Sequence, residues 1–301
     1  MTRAASQRRP EAGTGAAGGG EVRNIRSPLV KTARQLARRS FRQRSRLFLA
    51  EGPQAVREAL SWREPSAASP SGVTELFVTA AAWPRYGDLV AEATGQGAAV
   101  HTVSGEVMTE LAQTVTPQGL LAVCRFVDVA LGQLIAAAPR LVVLLANVRD
   151  PGNAGTVLRT ADAAGADGVI FSDASVDPYN SKCVRASAGS LFHLPVAVGC
   201  PLREAAAALR DAGVRVLAAD GDANRELDDL DRDGTLAGPA AWLFGNEAWG
   251  LPADLLALAD EAVAVPIYGR AESLNLAAAA AVCLYASARA QRSFPARSQP
   301  M

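Results

Sequence analysis

The chain has 301 residues, is 49% hydrophobic with few aromatics, and carries no formal net charge; this is enough apolar material for a sizeable core and, by length, for two domains. Two histidines (His101, His193) and four scattered cysteines (Cys124, Cys183, Cys200, Cys283) with no CxxC pair exclude the spacing of a zinc site and suggest reduced core thiols in a cytoplasmic protein without metal. No run of about 18 apolar residues is available to span a bilayer, and the Gly/Ala/Arg-rich opening lacks the apolar stretch of a secretory leader.

Residues 1–22 are expected to be a disordered tail. From Ser27 the pattern SPLVKTARQLARRSFRQRS is helical, with Ser27 as N-cap and Pro28 at the first helical position. Leu29, Ala33, Leu36 and Ala37 share one face, and Lys and Arg cover the other. The first 50 residues hold twelve Lys or Arg against two Glu, so neutrality overall hides a basic arm of the kind nucleic-acid binders use. Arg34, Arg38, Arg39, Arg42, Arg44 and Arg46 are candidates for phosphate contacts. A strand and helix (FLAEGPQAVREAL), a loop at 62–72, a strand (ELFVTA), a helix (RYGDLVAEATGQG) and two strands (AAVHTVS, QGLLAVCRF) follow. Residues 23–128 thus form a small α/β domain, and 129–139 read as a linker.

The second half, 140–292, alternates strands (RLVVLLANV, GVIFSD, LFHLPVAV, VRVLAAD, AAWLFGN, EAVAVPI) with helices after Asn153, after Asn180, at PLREAAAALRDAG, after Pro252 and at LNLAAAAAVCLYASARAQR, before a tail at 293–301. Such alternation predicts a mostly parallel sheet with helices on both faces. Ligands bind outside the C-terminal strand ends of such sheets. Three loops there are rich in Gly, Asn, Asp, Glu and Arg: 147–165, 244–252 and 265–277. Taken singly, each polar residue has an ordinary structural reading. Asn153 and Ser273 are possible helix N-caps, Arg159 a solvated helix charge, Glu247 a turn carboxylate and Asn275 an early helical residue. Trp249 suits either a stacked base or packing. Asn180, Lys182 and Arg185 start another helix nearby and are candidates for contacts with a polyanionic ligand.

Together and in this order, N-x-G-x-x-x-R (Asn153, Gly155, Arg159), FGNE-x-x-G (Phe244 to Gly250) and P-x-x-G-x-x-x-SLN (Pro266, Gly269, Ser273, Leu274, Asn275) resemble the SpoU/TrmH family of RNA ribose 2′-O-methyltransferases. The resemblance extends back to Ser27, where the chain is similar to the family's small RNA-recognising, ribosomal-protein-like domain. It implies a knotted methyltransferase domain at 140–292, with a parallel sheet and a deep C-terminal trefoil knot, which periodicity alone does not reveal. The GxGxxG turn of a Rossmann nucleotide site is missing after LVVLLANV. The resemblance places S-adenosyl-L-methionine against Leu243, Gly245, Val265, Ile267 and Leu274. It assigns catalytic or orienting roles to Asn153, Arg159, Glu247, Ser273 and Asn275. Holding a guanidinium neutral at pH 7 costs roughly 9 kcal/mol, which favours Arg159 as a cation that stabilises a developing alkoxide over Arg159 as a base. A homodimer is implied, with RNA as partner and 23S rRNA ahead of tRNA as substrate. An inactive RNA-binding or ribosome-assembly protein is the alternative from another class.

Overall fold

A computed structural model describes residues 20–63 and 72–293. The expectations for 1–19, most of the loop at 62–72 and the tail from 294 lie outside these residues. Val22 is already ordered: its amide donates to the Thr102 carbonyl at 2.8 Å, so the first domain begins slightly earlier than expected.

The basic segment forms two helices, α1 (Pro28–Gln35) and α2 (Arg39–Ser45), where the sequence reads as helical throughout. Ser27 caps α1 by accepting from the Val30 amide. The break at 36–38 has a cause. Arg42 reaches back and donates to the carbonyls of Leu36 (2.8 Å) and Ala37 (2.9 Å), which would otherwise serve a continuing helix. Then follow β1 (Leu47–Glu51), α3 (Pro53–Ser61), β2 (Val73–Thr79), α4 (Gly87–Gly95), β3 (Ala99–Val103), α5 (Gly105–Leu111) and β4 (Leu120–Arg125). The sheet order is β1-β4-β2-β3, with only β2 and β3 parallel. The expected linker holds a short helix, α6 (Leu131–Ala136). Its Leu134 is buried against Gly168, where an added Cβ would lie 2.6 Å from Leu134 Cδ1.

The second domain runs β5 (Leu141–Leu145), α7 (Pro151–Ala164), β6 (Gly168–Ser172), α8 (Ser181–Ala186), β7 (Val196–Cys200), α9 (Leu202–Asp211), β8 (Arg215–Ala219), α10 (Leu227–Arg232), β9 (Ala240–Phe244), α11 (Ala253–Leu256), β10 (Glu261–Val263) and α12 (Leu276–Ser293). All six strands are parallel, in the order β10-β8-β9-β5-β6-β7. β5 to β9 are almost wholly buried, as a sheet covered on both faces requires. From β5 the chain steps outward to β7, then crosses to the other side and returns to lay β9 beside β5. The carboxyl ends of β5 and β9 therefore form the topological switch point, the position where such sheets open a crevice. The strand expected at 191–198 starts only at Val196, because Gly189 (φ 101°) turns the chain into a one-turn helix at 190–192.

The two domains share one core. Phe126 stacks on Tyr179 with ring centroids 3.7 Å apart, and Phe48 packs between Tyr179 and Phe192. The Tyr179 hydroxyl donates to Asp128 (2.8 Å) and accepts from the Val127 amide (2.9 Å). Beside them Arg42 is buried: its Nε and Nη2 lie 2.9 and 2.6 Å from Asp177 Oδ2, and both side chains are under 8% exposed. Arg42 is therefore withdrawn from the expected phosphate contacts; its charge holds the domains together. All four cysteines are buried, and burial pushes the thiols of Cys124, Cys183 and Cys283 far above the usual range.

Removing one partner of a buried ion pair leaves the other charge uncompensated. Arg42→Met should cost about 3–5 kcal/mol by that argument, read as a drop in the urea midpoint. Asp177→Leu added to it should recover much of the loss, and two additive losses would argue against the pairing.

Candidate active site

The strands bring the three polar loops to one place. Where β5 and β9 end, the Ala146 amide continues their ladder to the Phe244 carbonyl at 2.8 Å. Asn147 then turns into the left-handed region (φ 57°), and its carbonyl accepts the Asn246 side-chain amide at 2.8 Å. Asn246 exchanges backbone hydrogen bonds with Gly250, both 2.9 Å, and its Oδ1 accepts the Ala248 amide. The turn 246–250 is thus folded tightly over Gly245. A Cβ on Gly245 would stand 2.4 Å from both the carbonyl carbon and oxygen of Gly250, so only glycine fits.

Asn153 is not the N-cap of α7. Asp150 is, accepting the Asn153 amide at 2.9 Å with Pro151 in the first turn. That frees the Asn153 side chain. Its Nδ2 donates to Glu247 Oε1 (3.2 Å), while its Oδ1 accepts from Asn275 Nδ2 (3.1 Å). Glu247 also accepts the backbone amides of Arg149 and Asp150, each at 3.3 Å. Asn275, not Ser273, caps α12, its Oδ1 accepting the Ala277 amide at 2.9 Å. The polarity of this relay follows from one group. A carboxylate only accepts, so Asn153 turns its NH2 to Glu247 and its carbonyl to Asn275, whose own carbonyl is left for the helix. One residue from each sequence block meets here. Ser273 stands exposed two residues away and joins no bond of the relay.

Asp150 also meets Lys182 of α8, 2.7 Å away; that ammonium and the Asn153 amide hold its carboxyl below the usual carboxylate range. Asn180 caps α8, and Arg185 pairs with Glu51 of the first domain at 3.2 Å. α7 and α8 touch through Gly155, where a Cβ would lie 2.4 Å from the Cys183 carbonyl oxygen. Sequence reasoning passed over Asp150, although Asp-Pro before a periodic segment is a helix-start signal. Asn147 opens the candidate loop 147–165 without standing out within it, and nothing in the sequence marks Glu51.

Arg159 is not in the relay. It lies two turns further along α7, exposed, facing a cleft of about 550 Å³ that is also lined by Gln54, Asp162, Ser190 and His193. Of the residues expected against the cofactor, Leu243 is buried in β9 and Val265 half-buried. Ile267 and Leu274 expose 38% and 39% of their surface, alongside exposed Trp249 and Tyr268. In the basic arm, Arg34 pairs with Glu110, and Arg46 pairs with Asp128 while lying 4.5 Å from the Phe126 ring centroid. Arg38, Arg39 and Arg44 are exposed, with no carboxylate partner among the described residues.

An all-parallel sheet with an amide–carboxylate relay at its switch point, joined to a small basic α/β domain, defines a two-domain α/β protein built around one strand-end site. The profile of the SpoU rRNA Methylase family matches residues 140–285, and that of the MRM3-like substrate binding domain matches 27–122. The 23S rRNA (guanosine(2553)-2'-O)-methyltransferase RlmP of Bacillus subtilis is 33% identical over 88% of this chain and 98% of its own. The AdoMet-bound rRNA methyltransferase of Sinorhizobium meliloti is 31% identical, with a TM-score of 0.74 over 90% of this chain and 97% of that one. AviRb of Streptomyces viridochromogenes, solved with AdoMet, is 28% identical with a TM-score of 0.74, over 89% and 100% of the two chains. The chain belongs to the SpoU rRNA methylase family.

The lowered Asp150 value sets a pH sign. Its pairing stabilises the fold fully above the ordinary aspartate value of about 3.9 and is lost as pH falls through the lower folded value. Lys182→Met should return the Asp150 titration toward that ordinary value in carboxyl-carbon NMR; an unmoved titration would show that Lys182 is not the cause.

Proposed function

We propose that the chain transfers a methyl group from S-adenosyl-L-methionine to a ribose 2′-hydroxyl of 23S rRNA. The observation that carries this reading is the Asn275–Asn153–Glu247 relay at the β5/β9 switch point. Relatives that cover nearly the whole chain, one named a 23S rRNA 2'-O-methyltransferase and others solved with AdoMet, support it. The residues suit the cofactor. Ile267 and Leu274 offer apolar surface beside the strand ends, and the tight turn over Gly245 brings backbone groups close enough to bind. Leu243, Gly245, Val265, Ile267 and Leu274 would hold it. When bound, it supplies an electrophilic methyl group.

The chain's own residues supply position and charge. Glu247, Asn153 and Asn275 fix the strand-end loops relative to one another. Arg159, as a cation, binds RNA phosphate and stabilises the alkoxide that develops as the 2′-hydroxyl proton leaves. Ser273, exposed beside the relay, orients the ribose or the methionine moiety. Exposed Arg38, Arg39 and Arg44 grip the RNA backbone. The trefoil knot belongs to this reading: β10 lies at the far edge of the sheet, yet α12 returns to pack on α7, β9 and β5 at its centre. So does a homodimer. Val282 and Tyr285 are exposed on α12, and Arg159 lines a cleft to which Asn153, Glu247 and Asn275 do not contribute, which suits completion of the site by a second copy. No described helix is long and apolar enough to cross a membrane, and no cluster of metal-binding side chains occurs among the described residues.

Arg159→Ala should abolish methyl transfer while leaving the cofactor dissociation constant within a few-fold, measured by calorimetry alongside ribose-methylation mapping of rRNA. Mixing Arg159→Ala protein with Glu247→Ala protein should restore part of the activity if the site is shared between copies; no recovery in verified mixed dimers would exclude sharing. Replacing Arg38, Arg39 and Arg44 together by Ala should weaken RNA binding and reduce its salt slope by about two to three. An unchanged slope would remove them from the interface.

A further inference from the structure

The cleft in front of Arg159 is built by both domains. α7 forms one wall, and Gln54, from α3 of the first domain, stands on the other. His193, just after the one-turn helix at 190–192, spans them. Its Nδ1 lies 2.7 Å from Oδ2 of Asp162, one turn beyond Arg159 on α7, and its Nε2 lies 3.1 Å from Oε2 of Glu58 on α3. A neutral imidazole has one N–H and one lone pair, so it donates to one carboxylate and presents its lone pair to the other; only the imidazolium donates to both. The segment carrying His193 is also seated on Glu58. Gly189, at φ 101°, leaves no room for a Cβ, which would lie 2.5 Å from Glu58 Cγ.

We propose that His193 is a positioning residue, whose imidazolium ties Glu58 of the RNA-recognising domain to Asp162 on the Arg159 helix and so holds the cleft at the width that receives the RNA backbone. The proposal rests on the role given above to Arg159. The charged groups facing His193 are Glu58 from α3 and Asp162 from α7, with Arg159 in the same cleft. Partial burial alone would lower the proton affinity of the imidazole, but the hydrogen bonds and charges of Asp162 and Glu58 outweigh it and raise His193 above the ordinary histidine value. The bridge is therefore fully present below about pH 6.5 and is lost as pH rises through the raised folded value. The imidazole is 42% exposed, so the bridge tunes RNA engagement by a small factor and does not switch it off.

The test uses the full chain and 23S rRNA isolated from cells lacking the gene. Wild type should show an RNA KM that rises roughly fivefold between about pH 6 and pH 9, with kcat changed much less at each pH on adding or removing the bridge. His193→Gln, neutral throughout, should have the high KM at both ends. His193→Arg, cationic throughout, should keep the low KM at both ends. The same ordering should appear in filter-binding dissociation constants measured with S-adenosylhomocysteine, which involve no chemistry. If the KM and binding profiles of His193→Gln match wild type, or if it loses kcat with KM intact, the proposal is wrong. The binding measurement separates it from the catalytic reading: turnover by Arg159→Ala would overturn that reading and leave the binding profiles to decide the role of His193.

Discussion

The site depends first on β5 and β9 lying side by side. Neither strand carries a reactive group; both are buried apolar segments whose ladder runs from Leu141–Ala240 to Leu145–Phe244. Because the pair is parallel, both carboxyl ends point the same way, and the loops that leave them diverge around a gap. Asn147 and Asn246 meet there because their strands end in register, and the bond between them closes the floor on which the relay is built. A one-residue slip of β9 would separate Asn246 from Asn147 and move Glu247 away from the start of α7.

Arginine is used in three ways in the basic arm. Arg42 lies in the core and ties the domains through Asp177, Arg34 and Arg46 are neutralised by partners at the surface, and Arg38, Arg39 and Arg44 remain open. All six stand in one short basic stretch, 34–46, which the helix break at 36–38 divides. Arg42, turned back onto the Leu36 and Ala37 carbonyls, sits inside that break, and α2 starts afresh at Arg39. A locally basic segment is thereby both an interdomain fastening and an electrostatic surface, within a chain that is neutral overall.

The sequence makes the periodic features legible. The six strands of the second domain, the long α12 and the Gly245 turn follow from apolar runs and turn residues that act locally. The three polar blocks also stand out, because they fall together at the carboxyl ends of the predicted strands, where such sheets bind ligands. What stays hidden depends on contacts distant in the chain. Asn153 looks like a cap until Asp150 starts the helix three residues earlier and accepts the Asn153 amide. Arg42 looks like its neighbours until Asp177, 135 residues away, pairs with it. His193 carries no signal at all, since its two carboxylates come from different domains. The short helices α5, α6 and α10 are equally silent, being too brief for a periodic pattern to declare them.

The four buried cysteines have a consequence of another kind. Cys124 lies in β4 of the first domain, Cys183 in α8, Cys200 in β7 and Cys283 in α12. Since burial disfavours the reactive thiolate at each, a soluble thiol reagent reaches a given sulfur only when its own element opens. The unaltered chain thus carries four native reporters of local opening, one in the first domain and three spread across the second. Their relative labelling rates would rank how often each part of the molecule comes undone, without adding a probe to the chain.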